Sequence, residues 1–265
     1  MAVALAKAGA QLQARQVDLR RPATWEFSGF SQNGEDGVLD VLLGQLSRCD
    51  RTCVEIGSGD GVENNTAWLM VVRRFCGLMV EGDGHLARRT QRNVISHSIG
   101  SQCLNRFVTR EGASELVAQA PSSEPDVFSL DIDGNDFHVM QALFDAGFRP
   151  KIVVVEYNSV FGPERSLTIP YQKDFTLARS HPSQLAYGVS IAGWRKSFAE
   201  RGYRFVTVEQ NGVNAFFVDP AWFEPAFLDG IEGLPFAENR YQLRKFGADC
   251  GAQFEILAGE RFLPI

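Results

Sequence analysis

Short apolar runs alternate with stretches of helical periodicity along most of the chain. The runs predict strands at Thr52–Ile56, Leu78–Glu81, Arg106–Thr109, Val127–Ile132 and Ile152–Tyr157. The stretches between them predict helices near 64–75, 84–95, 112–119 and 135–147. Continuous apolar strands separated by helices are typical of a parallel sheet covered on both faces. Ligands of such sheets bind outside the carboxyl ends of the strands.

The pattern changes in the last third of the chain. An irregular stretch at 158–186 precedes a helix near 187–201. Two β-rich runs, Tyr203–Glu209 and Val213–Val218, are joined by Gln210-Asn211-Gly212, and Asn-Gly is a strong hairpin signal. A parallel sheet that ends in an antiparallel hairpin is typical of class I methyltransferases and not of dehydrogenases. We therefore predict an α/β fold with a Rossmann-like doubly wound sheet, mostly parallel, and a C-terminal antiparallel hairpin.

Three parts of the chain are distinguished by this pattern. The pattern predicts a helical extension with an alanine-rich start at residues 1–30 and a catalytic domain at residues 31–218. Residues 219–265, rich in Phe, Pro and Leu, form an extension that packs on the core or makes a subunit contact. The terminal extensions are thus candidates for homo-oligomer contacts.

Composition narrows the class of protein. With 265 residues, 45% hydrophobic and 22% charged, the chain can bury a sizeable core. A net charge of −6 argues against a nucleic-acid partner, which would favour a basic face. Five cysteines without paired metal-ligand spacing predict reduced thiols and a cytoplasmic protein. Neither a signal peptide nor a membrane span is expected, and hence no membrane partner.

A glycine-rich turn, Gly57-Ser58-Gly59-Asp60-Gly61, follows the first predicted strand. Glycines allow a sharp turn close to a ligand, and a following helix offers N–H groups to an anion. The spacing differs from the Gly-x-Gly-x-x-Gly of dinucleotide sites. Glu55, just before the turn, would repel a pyrophosphate and attract an ammonium or a sulfonium. The turn therefore favours S-adenosylmethionine over NAD, with an ordinary strand–helix turn as the alternative.

Acidic residues also stand at the tips of three later strands. Glu81 is placed to accept hydrogen bonds from both hydroxyls of a ribose, the alternative being a surface acid. If the next two tips are neighbours, Asp131, Glu156 and Asn158 converge, with Asp133 beside them. Oxygen ligands of this kind suit Mg²⁺. Alternatively, these side chains bind backbone N–H groups.

The histidines and the acids near this point are the candidates for the group that accepts a proton. His181 lies in the irregular stretch next to a proline, and a neutral imidazole near pH 7 suits a general base. Asp133 is the second candidate for this role. A solvated loop histidine remains the alternative for His181.

Several segments together resemble the FkbM-like branch of class I S-adenosylmethionine-dependent methyltransferases. The resemblance covers about 190 residues, and the segments that carry it are Ser31–Gly37, Val54–Thr66, Leu78–Asp83, Leu130–Phe137, Val154–Asn158 and Gly212–Val218. It implies cofactor contacts from Gln32, Glu35, Glu55, Gly57, Gly59, Glu81, Glu111 and Asp131. Glu55 and the two glycines would hold the methionine part, Glu81 the ribose, and Glu111 would approach the adenine.

The resemblance also bears on the metal and on the reaction. Asp131 matches the Asp of the family's Lys-Ile-Asp-Val-Glu-Gly segment, with Asp133 in place of its Glu. Glu156 and Asn158 stand where related Mg²⁺-dependent O-methyltransferases have an adjacent Asp-Asn pair. We expect O-methylation of a small hydroxylated molecule, such as a sugar or a natural-product scaffold, assisted by Mg²⁺. Three alternatives are N-methylation, a metal-dependent glycosyltransferase that uses Asp131-Ile132-Asp133, and a non-catalytic binding scaffold.

Overall fold

The computed structural model describes residue 9, residues 11 and 12, and residues 14–265. Most of the predicted alanine-rich helical start lies outside the described residues. The strands are β1 Thr52–Ile56, β2 Cys76–Glu81, β3 Gln102–Asn105, β4 Val127–Leu130, β5 Ile152–Glu156, β6 Leu167–Thr168, β7 Arg204–Val208, β8 Asn214–Val218 and β9 Leu263–Pro264.

Seven of these strands form one sheet with the order β3-β2-β1-β4-β5-β8-β7. Strands β1 to β5 run parallel, β8 pairs with β5 antiparallel, and β7 pairs with β8 antiparallel. The predicted hairpin is present, but its loop spans residues 209–213, and only Gly212 (φ +76°) has the positive φ that a two-residue Asn-Gly turn requires at both positions. This strand order is that of the class I methyltransferase fold, so the predicted fold class is confirmed.

Helices cover both faces of the sheet. They are α1 Glu35–Gly44, α2 Ala67–Val71, α3 Gly84–Asn93, α4 Ala113–Gln119, α5 Asp136–Asp145, α6 Leu177–Ser180, α7 Ile191–Glu200, α8 Pro225–Asp229, α9 Arg240–Phe246 and α10 Cys250–Glu255. None of the helices within the described ranges is both long and apolar enough to cross a membrane.

The apolar core lies in two layers, one on each face of the sheet. In β5, Ile152 and Val154 belong to one cluster, whereas Val153 and Val155 belong to the other. Successive strand side chains point to opposite faces, and here both faces are buried. For this reason the strands are continuous apolar runs in the sequence.

The segments that flank the sheet pack on the core and on each other. Trp25 is fully buried and stacks on Phe227 with ring centroids 6.1 Å apart. Farther along, Leu257 packs in a cluster with Val160 and Leu185. The terminal segments therefore bury large apolar side chains within one chain, and a subunit contact through them stays a prediction.

Two predicted elements differ from the observed ones. The third strand is Gln102–Asn105 and not Arg106–Thr109, because its polar residues pair with β2 at the sheet edge and the apolar residues after it leave the sheet. The helix predicted at 64–75 is reduced to Ala67–Val71. Residues 64–66 form instead a loop held by a side chain of β1.

Candidate functional site

The glycine turn lies where the carboxyl ends of β1, β2 and β4 meet. Gly57 has φ +87°, and a Cβ atom there would lie 1.6 Å from the carbonyl oxygen of Asp131. Gly59 has φ +55° and faces open space. Gly57 is thus required for the packing of β1 against β4, whereas Gly59 is required only for the backbone conformation.

Glu55 fixes the loop that follows this turn. Its carboxylate accepts hydrogen bonds from Asn65 N at 2.9 Å, Thr66 N at 3.1 Å and Thr66 Oγ1 at 2.6 Å. Burial raises the pKa of Glu55 to about 7. The N–H groups expected to face an anion are therefore already bonded to Glu55. Oε1 accepts a single bond and Glu55 borders the small polar cavity described below, so its contact with the methionine part stays a prediction.

Glu81 ends β2 and connects the turn to the next helix. One of its oxygens accepts a hydrogen bond from Gly59 N and the other from Asp83 N, both at 2.8 Å. A carboxylate oxygen can accept a second bond, so each oxygen keeps one lone pair. Asp83 in turn caps α3, accepting the N–H groups of His85 and Leu86. The geometry leaves Glu81 able to bind two adjacent hydroxyls.

Four cavities surround this point. The largest, about 550 Å³, is bordered by Gly57, Gly59, Glu81, Phe107, Asp131 and Phe175, among others. A small polar cavity of about 100 Å³ is bordered by Glu35, Glu55, Gly57, Asn65, Asp131 and Asn214. A third, about 450 Å³, is bordered by Gln32, Asp131, Glu156, Arg240 and Arg244. Asp131 borders all three, so they meet at the end of β4.

The fourth cavity, about 210 Å³, adjoins the third. Asp133, Tyr187 and Lys245 border it, and Glu156 and Tyr241 border both. The third and the fourth cavity therefore meet at Glu156, the last residue of β5.

The small polar cavity contains an unsatisfied buried acceptor. Asn214 is 5% exposed and donates from Nδ2 to Glu35 Oε1 at 2.7 Å, but its Oδ1 has no partner among the described residues. A buried polar atom without a partner is costly unless a ligand supplies one. Asn214 was not among the predicted site residues. Its signal was an amide at the start of the apolar strand β8.

The predicted contacts from the first helix do reach this region. Gln32 donates from Nε2 to Glu63 Oε2 at 2.7 Å and borders the small and the third cavities. Glu35 is 1% exposed, accepts from Asn33 N at 2.7 Å, and borders the small cavity. Both therefore border a cavity that Gly57 also borders, and their contact with a cofactor stays a prediction.

Three carboxyl groups converge at the tips of β4 and β5. One oxygen from each of Asp131, Asp133 and Glu156 lies within 4.8 Å of the other two. Burial raises the pKa of Asp131 and of Glu156 well above the usual range, and the nearby charge of Asp133 raises both further. A side-chain hydrogen bond with Glu156 acts in the opposite direction on Asp131 and lowers its pKa. Such a group either retains a proton or binds a cation. Carboxylate oxygens are the ligands that Mg²⁺ prefers.

Asn158 does not join this cluster, which corrects the predicted ligand set. Its Nδ2 donates to Leu185 O at 2.7 Å and to Tyr187 O at 3.0 Å, and its Oδ1 accepts from Val160 N at 3.1 Å. The amide is thus occupied in holding the irregular segment after β5. Asp133 takes the third place in the cluster.

Two other predicted residues lie away from the cavities. His181 Nδ1 accepts a hydrogen bond from Ser183 N at 3.1 Å, and the histidine borders none of the four cavities. Glu111 is exposed and accepts from Tyr171 Oη at 2.6 Å. This bond and Arg110 lower the pKa of Glu111 to about 2. Neither side chain borders any of the four cavities, so the base role of His181 and the adenine contact of Glu111 stay predictions that the geometry does not support. Phe107, four residues before Glu111, borders the largest cavity instead.

The C-terminal helix α9 supplies site residues that sequence reasoning missed. Arg240, Tyr241 and Arg244 border the third cavity, and Tyr241 and Lys245 border the fourth. The signal in the sequence was a basic residue every four positions, Arg240 and Arg244, within a short helical stretch. Because the segment follows the last strand of the seven-stranded sheet, nothing in the sequence pattern placed it at the strand tips.

The chain is similar in fold to proteins of known structure. No protein-family description and no curated protein matches the chain, whereas 417 chains of solved structures do. One is the O-methyltransferase TomG from Streptomyces achromogenes, with bound SAM (TM-score 0.43, 15% identity, 81% of this chain and 87% of TomG). Another is an O-methyltransferase from Bacillus cereus with SAH (TM-score 0.41, 17% identity, 80% and 85%). A third is cofactor-bound Rv0187 from MTB (TM-score 0.45, 18% identity, 81% and 88%).

These likenesses concern the fold alone. The assignment of the class I methyltransferase fold rests on the strand order and on the antiparallel β7–β8 hairpin described above.

Proposed function

We propose that this protein is an S-adenosylmethionine-dependent methyltransferase that methylates a hydroxyl group of a small molecule. One observation carries the proposal: a large cavity, a small polar cavity and a third open cavity meet at Asp131. A cofactor with a nucleoside, an amino-acid part and a reactive methyl group between them needs such a junction. The solved structures of similar fold that contain SAM or SAH are consistent with it.

The residues present fit the cofactor. The largest cavity, about 550 Å³, has the volume of a small-molecule site and contains Glu81, which can accept two ribose hydroxyls. The small cavity offers Glu35 and the unpartnered Asn214 Oδ1 to an ammonium. When bound, S-adenosylmethionine would supply a methyl group on a positively charged sulfur, which would leave as the neutral thioether of S-adenosylhomocysteine.

The role of the chain in this reaction is alignment and proton removal. Gly57 keeps the turn clear of side chains where the two cavities join, so that an acceptor in the third cavity can approach in line. The acceptor hydroxyl loses its proton as the new carbon–oxygen bond forms. Asp133, exposed beside Asp131 and Glu156, is the proposed proton acceptor. His181 is not used.

The three carboxyls also fit a divalent cation. Asp131, Asp133 and Glu156 would hold Mg²⁺ with one oxygen each, leaving other positions for water or substrate. A bound cation there would lower the pKa of an acceptor hydroxyl and reduce the demand on the base. A glycosyltransferase that uses the same acids leaves the glycine turn and Glu81 without a role.

Calorimetry with S-adenosylhomocysteine tests the proposal. We expect the wild-type protein to bind this ligand, and Glu81→Gln to weaken binding at least about tenfold, because one oxygen of the pair becomes a donor. Glu124→Gln, an exposed acid outside the cavities, is the matched control. UDP-glucose, titrated in parallel, should not bind. Binding of UDP-glucose without S-adenosylhomocysteine would support the glycosyltransferase, and binding of neither would support the scaffold.

The same titrations address the cation. Mg²⁺ is expected to bind the wild-type protein saturated with S-adenosylhomocysteine, and Glu156→Gln should lose this binding while the ligand affinity stays within about twofold. Equal Mg²⁺ binding by both proteins would exclude the acidic cluster as the metal site.

A further inference from the structure

Helix α9 carries three basic side chains that have no ionic partner in the described part of the chain. Arg240, Arg244 and Lys245 are exposed, and each borders a cavity next to the acidic cluster. All twelve ion pairs found among the described residues involve other side chains. In a protein with a net charge of −6, three unpaired cations at one site are notable.

The two arginines face the same cavity. They are four residues apart on α9, so their side chains lie on one face of the helix. Both border the third cavity, which Asp131 and Glu156 at the tips of β4 and β5 also border. The third cavity, about 450 Å³, therefore has carboxyl groups on the sheet side and guanidinium groups on the helix side.

Helix α9 is held firmly in this position. Asn239 Oδ1 accepts the N–H groups of Tyr241 at 3.0 Å and Gln242 at 3.1 Å. Arg240 N donates to Asn211 O at 2.9 Å, and Gln242 Nε2 donates to Tyr187 Oη at 3.2 Å. The basic side chains are thus attached to a fixed backbone beside the hairpin, which lowers the entropy lost on binding a ligand.

The chemistry of the cavity selects an anionic ligand. The planar guanidinium group matches a carboxylate or a phosphate in a bidentate manner. We propose that the methyl acceptor carries such an anionic group, bound by Arg240 and Arg244, while its hydroxyl lies at Asp131 and Glu156. This inference rests on the proposed function and specifies its substrate class.

Two matched pairs of probes test the inference. Glucose 6-phosphate is compared with glucose, and 3,4-dihydroxybenzoate with 4-methylcatechol, by calorimetry on the protein with and without S-adenosylhomocysteine. We expect the anionic member of at least one pair to bind at least about tenfold more tightly than its neutral partner. The pair that shows the preference identifies phosphate or carboxylate as the group recognised.

Two double variants of equal charge change complete the test. Arg240→Gln/Arg244→Gln should lose the preference for the anion, whereas Arg74→Gln/Arg92→Gln should keep it. Arg74 and Arg92 are exposed and border none of the four cavities. The inference is overturned if the wild type binds neither anion preferentially, or if the first double variant retains the preference. Failure of S-adenosylhomocysteine to bind would count against the proposed function. The titrations without S-adenosylhomocysteine would still measure the preference for the anion.

Discussion

Gly57 and Gly59 adopt similar backbone conformations but have different surroundings. Both have positive φ, yet a Cβ at Gly57 would lie 1.6 Å from Asp131 O, whereas one at Gly59 meets nothing within 4 Å. Gly59→Ala should cost about 1 kcal/mol of folding free energy from the left-handed conformation alone. Gly57→Ala should cost at least about 3 kcal/mol, because β1 and β4 must also separate.

Urea unfolding of the two variants measures this difference. Gly57→Ala should also abolish S-adenosylhomocysteine binding, since Gly57 borders both the largest and the small polar cavity. Equal losses of stability in the two variants would contradict the assigned packing role of Gly57.

The place of a single residue in the fold follows from the sequence where backbone geometry limits the choice. Its role does not follow where hydrogen-bond partners decide it. The turn at Gly57 and the acid at Glu81 follow from their places at strand ends. Asn158 looked suited to bind a metal, but its amide is bonded to the backbone groups of three residues, Val160, Leu185 and Tyr187. Sequence patterns show which groups a residue carries and do not show which partners those groups find.

The boundaries of a strand were predicted more accurately where the strand is more deeply buried. Strand β5, enclosed on both faces, was located to within one residue, because a short continuous apolar run is typical of a strand in the middle of a covered sheet. Strand β3, at the sheet edge, was displaced because its residues are polar and partly exposed. Helix α9 was not foreseen in the site, since its position depends on contacts with Asn211 and Tyr187 far away in sequence.

The N-terminal cap of α9 is expected to affect binding of the methyl acceptor and not binding of the cofactor. Asn239→Ala removes the acceptor for two N–H groups at the start of α9 and should cost about 1 kcal/mol. Asp249→Ala removes the equivalent cap of α10, which borders none of the four cavities. Hydrogen exchange should accelerate at 240–246 in the first variant and at 250–255 in the second.

Binding assays separate the two cap variants further. Affinity for S-adenosylhomocysteine should be unchanged in both, whereas the preference for an anionic acceptor should weaken only with Asn239→Ala. A loss of S-adenosylhomocysteine affinity in Asn239→Ala would show that α9 supports the cofactor and not the acceptor.

At the scale of the molecule, three buried or half-buried acids lie close to Glu35, which borders the small polar cavity of the proposed cofactor site. Burial, together with the nearby charge of Glu35, raises the pKa of Glu26, Asp36 and Glu209 to about 7 each. Asp36 accepts three backbone N–H groups on Oδ2, but its buried Oδ1 has no partner in the described ranges. These acids favour the proposed cationic cofactor, and their ionisation is expected to lower the free energy of unfolding.

The pH dependence of stability follows from these raised values. In the unfolded chain the same carboxyls titrate near pH 4, so between about pH 4 and pH 7 the folded state binds more protons. The free energy of unfolding should therefore fall as the pH rises through this window and level off above pH 7. Each retained proton contributes a slope of about 1.4 kcal/mol per pH unit.

Asp36→Asn tests this dependence, because the amide keeps an oxygen for the backbone donors and removes the titrating group. Between pH 5.5 and 7.5, the variant should lose about 2 kcal/mol less of its free energy of unfolding than the wild type does. Asp145→Asn, whose side chain is 68% exposed, is the matched control and should leave the slope unchanged. Urea unfolding across this range measures all three proteins. An unchanged slope in Asp36→Asn would mean that three N–H donors keep the Asp36 carboxylate ionised despite its burial, and that the acids beside the cofactor site are compensated individually rather than by the cofactor.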